Sequence, residues 1–158
     1  MFKINIDGAV FADQKVAVVG ALIRDEEGNV IGALSKKISA PLKAVEIEAK
    51  AVEVRLQFDK DLSIQDFILE GDSFLVINAM KELSPPPSSV AAIISSSLLV
   101  SQEFRQVVFS HVRRQGNRLA HLLAKYASGI NDFSVWLEEE RCFLNQALIQ
   151  DVTYSSLV

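Results

Sequence analysis

The sequence holds few residues that cross-link a chain or bind soft metals, with one cysteine, Cys142, and two histidines among 158 residues. A lone cysteine cannot form an internal disulfide, which excludes a disulfide-stapled scaffold and suits a reducing compartment, nuclear or cytoplasmic. A chain of this length buries roughly 70% of its unfolded surface without such help. No apolar run approaches the roughly 20 residues of a membrane span, and no signal peptide is visible. We therefore expect one domain, residues 1–158, that is not in a membrane and is monomeric.

Acidic residues are missing from one long stretch, between Glu103 and Asp132, although the net charge of the chain is −4. A local basic patch on an acidic protein can still bind phosphates, so the negative net charge does not exclude nucleic acid as a partner. The alternative is that these are ordinary solvated charges on one strand and one helix. The basic residues of this stretch are Arg105, Arg113, Arg114, Arg118 and Lys125.

The apolar pattern changes from alternating to helical along the chain. Three strands joined by short turns open the chain and predict an antiparallel meander. Strands and helices alternate afterwards, which indicates an α/β fold with a mixed sheet and helices on its faces. We expect Trp136, in the last helix, to pack in the core rather than stack on a ligand. The predicted strands are 2–11, 16–25, 30–39, 66–70 and 106–112, and the predicted helices are 42–58, 73–81, 90–103, 117–126 and 133–149.

One carboxylate of the first predicted helix has apolar neighbours. Glu46 and Glu53 are flanked by lysines at helical spacing, which is typical of solvated, ion-paired residues. Glu48 instead has Ala44, Ala51 and Val52 as helical neighbours. A carboxylate on an apolar face costs free energy unless something pairs with it. Glu48 is therefore a candidate site residue, and a boundary residue that reaches out to water is the alternative.

Two further acids occupy places where ligand sites form. Asp7 shares one face of the first strand with Lys3 and Asn5, and Gly8 follows it, which permits close approach of a ligand or another backbone. Asp72 lies just past the carboxyl end of a buried strand, where ligand sites of α/β sheets gather. The alternative for Asp72 is a helix N-cap. If Asp7, Glu48 and Asp72 converge, they offer the oxygen ligands that Mg²⁺ prefers.

Five segments occur in a characteristic order and spacing: IDGAVF (6–11), VGALIRDEEGNVIG (19–32), EAKAV (48–52), LEGDS (69–73) and SHVRRQGNRLAHLLAKYA (110–127). Together they resemble the plant ribonuclease-H-like domains found at the ends of non-LTR retroelement reverse transcriptases. VWLEE (135–139) is also typical of that group. The match covers a core at about 2–127 and leaves a C-terminal tail, 131–158, that we predict to be helical.

The resemblance implies a five-stranded mixed sheet, with three antiparallel strands first, flanked by helices. It also implies a site of four acidic residues, of which Asp7, Glu48 and Asp72 correspond to the first three. Two Mg²⁺ ions, or Mn²⁺, would be the cofactors, and an RNA–DNA hybrid would be the partner.

The fourth position departs from the nuclease pattern. Active members carry an aspartate in the form N-x-x-A-D-x-L-A, and in this chain, where Asn117 begins the motif, His121 stands in its place. Imidazole is a poorer ligand than carboxylate for Mg²⁺ and suits softer ions such as Mn²⁺ or Zn²⁺. The resemblance therefore implies that the second ion is held weakly. The mobile histidine loop of many cellular ribonucleases H is missing, and His111, on a strand, is interpreted as structural.

Three functions remain open at this stage. The first is an endonuclease that cuts the RNA strand of hybrids, with Asp7, Glu48, Asp72 and His121 as its catalytic residues. Here Asp7, Glu48 and Asp72 would hold metal, and Arg113, Arg114 and Arg118 would contact phosphates. The second is a weak or inactive nucleic-acid-binding or interaction domain that keeps the fold. The third is an inert retroelement remnant.

Overall fold

The computed structural model describes residues 1–61, 63–127 and 133–137. The first strands follow the predicted meander, because β-branched and apolar residues alternate or run continuously through them. Among the described residues the strands are β1 (Phe2–Phe11), β2 (Val16–Arg24), β3 (Val30–Ile38), β4 (Asp66–Gly71), β5 (Gln106–His111) and β6 (Phe133–Leu137). The helices are α1 (Ala44–Asp61), α2 (Phe74–Met80), α3 (Ala91–Ser101) and α4 (Arg118–Ala127).

The strands form one mixed sheet in the order β5-β4-β1-β2-β3-β6. The pairs β1–β2 and β2–β3 are antiparallel, and β4 pairs parallel with both β1 and β5. The predicted five-stranded mixed sheet with three antiparallel strands first is thus confirmed. The short strand β6 extends it by pairing antiparallel with the outer edge of β3.

The strand β6 corrects one prediction. A helix was expected at 133–149, but residues Phe133–Leu137 form a strand, with Leu34 of β3 opposite Val135. The pairing joins segments about one hundred residues apart, so a tertiary contact decides the local conformation here. The rest of the predicted helix, 138–149, lies outside the described residues, as does Cys142.

The two faces of the sheet are covered by different helices. On one face α1, together with α2 and α3, packs on a large apolar core that includes Ile4 and Ile6 of β1. On the other face α4 packs across β1, β2 and β3, where Ala124 meets Val16 and Val18. Side chains of a strand alternate between faces, so Asp7 lies on the face of α4. In the part of the chain that the structure describes, no helix is both long and apolar enough to cross a membrane.

Candidate active site

Asp7 occupies the middle of β1 with 1% of its surface exposed. The parallel pairing of β1 with β4 ends just before it, at Ile6 opposite Gly71. Beyond that point none of the described strands lies beside this backbone edge of β1, so its polar groups need partners from side chains or water. The side-chain amide of Asn117 donates to the carbonyl of Ile6, and the amide of Gly8 donates to Oε1 of Glu48 at 3.2 Å. Asp7 is therefore held between a residue of α1 and a residue that precedes α4.

Gly8 brings α1 close enough for Glu48 to reach this edge. A Cβ at Gly8 would lie 3.0 Å from both Cγ atoms of Ile47 and 3.2 Å from its backbone carbon. Glycine at this position allows the close approach without displacing Ile47, as the sequence predicted. Glu48 then points toward Asp7, and the alternative that it reaches out to water is wrong.

Asp72 follows the last residue of β4 directly. The N-cap of α2 is Ser73, so Asp72 does not take the N-cap position that was its alternative role. His111, at the end of β5, donates from Nε2 to the backbone carbonyl of Asp72 at 3.2 Å. The rings of His111 and Phe74 also pack edge to face, with centroids 5.5 Å apart. These contacts tie the ends of β4 and β5 together and support a structural role for His111.

The three carboxylates converge. One oxygen each from Asp7, Glu48 and Asp72 lie within 4.8 Å of one another. Burial, and to a smaller extent the negative charges of Asp7 and Asp72, together raise the pKa of Glu48 to about 9. Burial and the charge of Asp7 also raise the pKa of Asp72, against the opposing effect of the Arg114 cation. The cluster is thus an arrangement of mutually repelling oxygens in a partly desolvated place.

This donor set fits a hard divalent cation. Mg²⁺ and Mn²⁺ bind carboxylate oxygens, and a cation between like charges removes the repulsion that raises these pKa values. Asp7, Glu48 and Asp72 are the residues that would hold such an ion. Among the described residues, the ligand atoms that lie this close together come from Asp7, Glu48 and Asp72, and His121 is not part of the group.

His121 contacts Asp7 instead. Its Nδ1 lies 2.6 Å from Oδ2 of Asp7, and because a carboxylate only accepts, Nδ1 carries the proton. This bond occupies one oxygen of the most buried carboxylate of the cluster. His121 therefore orients the carboxylate of Asp7.

The arginines separate into two groups. Arg114, Arg118 and His121 line a cavity of about 410 Å³ beside the carboxylates, together with Gln115. Arg113 is exposed at the start of the 3-10 turn and is not among the described residues that line this cavity. A larger cavity of about 1120 Å³ lies at the opposite end of β4, away from the carboxylates.

One site residue received no role from the sequence. Asn117 is 1% exposed, and its amide nitrogen binds the strand that carries Asp7. The only signal for it was its place at the head of the motif that ends in His121. A contact between residues 111 positions apart leaves no trace in local periodicity.

The sheet order and the acidic cluster define a ribonuclease-H-like domain, and comparisons with known proteins agree. The model of the Reverse transcriptase-like family matches residues 5–127, and the chain belongs to this family. No curated protein sequence gives a significant match.

Solved structures show the same fold at low identity. RNase H1 from the archaeon Halobacterium salinarum is 22% identical, with a TM-score of 0.74 over 80% of this chain and 96% of that one. LC11-RNase H1 in complex with an RNA/DNA hybrid is also 22% identical, with a TM-score of 0.64 and the same coverage. The protease–reverse transcriptase of prototype foamy virus is 18% identical, with a TM-score of 0.61 over 83% of this chain and 21% of that one.

Proposed function

We propose that this protein is a metal-dependent endonuclease that cleaves the RNA strand of RNA–DNA hybrids. The observation that carries the proposal is the convergence of Asp7, Glu48 and Asp72, whose oxygens lie within 4.8 Å of one another in a ribonuclease-H-like fold. Asp7, Glu48, Asp72 and His121 are its proposed catalytic residues. The similarity to a structure that contains an RNA/DNA hybrid supports the choice of substrate.

Asp7, Glu48 and Asp72 would hold Mg²⁺ or Mn²⁺, with a second ion bound weakly because His121 replaces a carboxylate. Divalent ions in such a place activate water and stabilise the charge that develops on a phosphodiester. The chain itself holds the carboxylates in position. Gly8 donates to Glu48, and His121 donates to Asp7, which limits the rotation of both carboxylates before substrate arrives.

The substrate backbone would approach along the arginines. Arg114 and Arg118 line the cavity beside the cluster, and the charge of Arg114 acts on Asp72. Phosphate contacts of this kind position nucleic acid without reading its sequence. Arg113, exposed on the same turn, is proposed as a third, outer contact.

Cleavage of an RNA–DNA hybrid with a labelled RNA strand tests this function. Wild-type protein is expected to cut with Mn²⁺ and more slowly with Mg²⁺, because the site lacks a fourth carboxylate and Mg²⁺ is the ion more dependent on hard oxygen ligands. Asp7→Asn keeps the size of the side chain but removes its charge, and it should abolish cutting. Equal cutting by wild type and Asp7→Asn, or none by wild type with either ion, would contradict the proposal.

A second function is favoured by one observation, the hydrogen bond that His121 makes to Asp7. If this bond persists against cations, the protein binds hybrids without cutting them. The same assay distinguishes the two functions when it is run beside a binding measurement: binding without cleavage in both ions supports the second.

The wider context is also a proposal. We infer a single domain, 1–158, that acts as a monomer. We also infer that it derives from a plant retroelement of the non-LTR kind, on the basis of its motifs. Its family and the similarity to a viral reverse transcriptase support the link with reverse transcription.

A further inference from the structure

Two side chains bind the backbone of β1 on either side of Asp7. Where β4 has ended, the backbone of β1 is bound on one side of Asp7 through the carbonyl of Ile6 and on the other through the amide of Gly8. The partner of Gly8 is Glu48, a member of the carboxylate cluster. The partner of Ile6 is Asn117, which has no place in that cluster.

Asn117 lies between the 3-10 turn and α4. It ends the turn Arg114–Asn117, and α4 begins at the next residue, Arg118. His121 is then one helical turn further on, where its Nδ1 reaches Asp7. A single side chain thus fixes the start of α4 on β1, and the same helix delivers His121 to the carboxylate next along that strand.

The environment of Asn117 argues for a strong constraint. The residue is buried, and within the described part of the chain its Oδ1 has no hydrogen-bond partner. Since a buried, half-satisfied amide costs free energy, an apolar residue of similar size would pack here at less cost if packing were the only demand. An apolar residue could supply the packing of this side chain but not the hydrogen bond that Asn117 donates to Ile6.

We propose that Asn117 is a positioning residue, which sets Asp7 and His121 relative to each other by binding the carbonyl of Ile6. The proposal rests on the metal-dependent function proposed above. Loss of the donor releases the edge of β1 and the start of α4, so Asp7 turns away from Glu48 and Asp72 while the fold persists.

Two measurements on the full chain test this role. The variant Asn117→Leu removes the donor but keeps the branched shape of the side chain, and Asn117→Ala removes the donor without added bulk should leucine prevent folding. We expect Mn²⁺ affinity to fall roughly 10- to 100-fold, the range for partners that orient metal ligands. In the metal-free protein, the NMR signals of the His121 ring nitrogens should shift, because the bond to Asp7 is lost.

Ile94→Ala is the matched control, since Ile94 is a buried core residue of α3. It should lower thermal stability but leave both Mn²⁺ affinity and the His121 signals unchanged. The proposal is overturned if a folded Asn117 variant keeps the wild-type His121 signals, or if Ile94→Ala loses as much affinity. If wild type itself binds no Mn²⁺, the metal-dependent function fails, and the His121 signals still decide the role of Asn117.

Discussion

At the scale of single residues, the site depends on how His121 and Asp7 share one hydrogen bond. The imidazole is not placed as a fourth metal ligand but as a donor to the carboxylate that lies deepest in the cluster. Replacing one acid by histidine therefore has two effects. It removes a negative charge, and it engages one oxygen of Asp7 in a hydrogen bond.

The variant His121→Asp is expected to increase the rate of hybrid cleavage with Mg²⁺. It should also reduce the ratio of the rate with Mn²⁺ to the rate with Mg²⁺. An added carboxylate supplies a hard oxygen and a negative charge, and it frees Oδ2 of Asp7. Hybrid cleavage in each ion measures this, with a thermal melt in parallel. A folded variant that cuts no faster with Mg²⁺ than wild type would show that His121 does not limit catalysis.

The raised pKa of Glu48 predicts that metal affinity depends on pH. In the metal-free protein this pKa is about 9, so at neutral pH Glu48 holds a proton that a cation must displace. Raising the pH toward that pKa removes the competition, and the apparent Mn²⁺ affinity should rise by up to about tenfold per pH unit. Above it the dependence should level off.

Titration calorimetry in buffers of different ionisation enthalpy counts the protons released on Mn²⁺ binding. Glu48→Gln is the control, because it keeps the shape but has no proton to release. It should bind Mn²⁺ more weakly and release about one proton fewer than wild type. An equal proton count in both proteins would mean that Glu48 is ionised before the cation arrives.

At the scale of secondary structure elements, the site is set by how closely α1 packs on β1. Gly8 faces Ile47 so closely that an added methyl group would force Ile47 or α1 to shift. The same contact places the next residue of the helix, Glu48, against the amide of Gly8. Packing and site geometry therefore depend on one glycine.

Gly8→Ala should both destabilise the fold and weaken the site. Overpacking of this kind lowers the free energy of unfolding by about 1–3 kcal/mol. It should also shift α1 away from β1, which moves Glu48 away from Asp7 and Asp72. Urea unfolding and Mn²⁺ titration measure the two effects. In Gly116→Ala, by contrast, the new Cβ would meet nothing nearer than Val112 at 3.7 Å, so stability should change little. Similar losses in both variants would count against the packing argument.

The elements differ in how far the sequence could predict them. Strands β1 to β5 follow from local alternation and apolar runs, and Asp7, Glu48 and Asp72 were selected by their neighbours and by the family resemblance. The prediction misses strand β6, although FSVWL holds aromatic and β-branched residues that favour strands, because the segment also fits the start of a longer amphipathic helix. Its conformation depends on pairing with β3, which no local window contains.

The same limit explains the polar contacts of the site. The bonds from Asn117 to Ile6 and from His121 to Asp7 join residues more than one hundred positions apart. Their existence depends on where β4 ends relative to β1, which is a property of sheet register. Sequence patterns predict which residues belong to each strand or helix. They do not predict which side chain forms hydrogen bonds with the unpaired backbone edge of a strand.

At the scale of the whole molecule, charge is distributed so that an acidic protein presents a basic cavity beside its acidic cluster. The net charge of −4 opposes association with nucleic acid. The acid-free stretch counters this locally, because its fold brings Arg114 and Arg118 to one cavity next to Asp72. Hybrid binding should thus be weak and should depend on these two cations more than on the overall charge.

The paired variant Arg114→Ala with Arg118→Ala tests this distribution, in an Asp7→Asn background that prevents cleavage. Each lost phosphate contact should lower the slope of log affinity against log salt by about one, so the pair lowers it by about two. The control, Lys60→Ala with Arg105→Ala, removes the same charge; these residues pair with Glu103 and Asp66. If both pairs lower the slope equally, binding follows net charge. If only the cavity pair does so, the phosphates lie beside the carboxylate cluster, where a nuclease requires them.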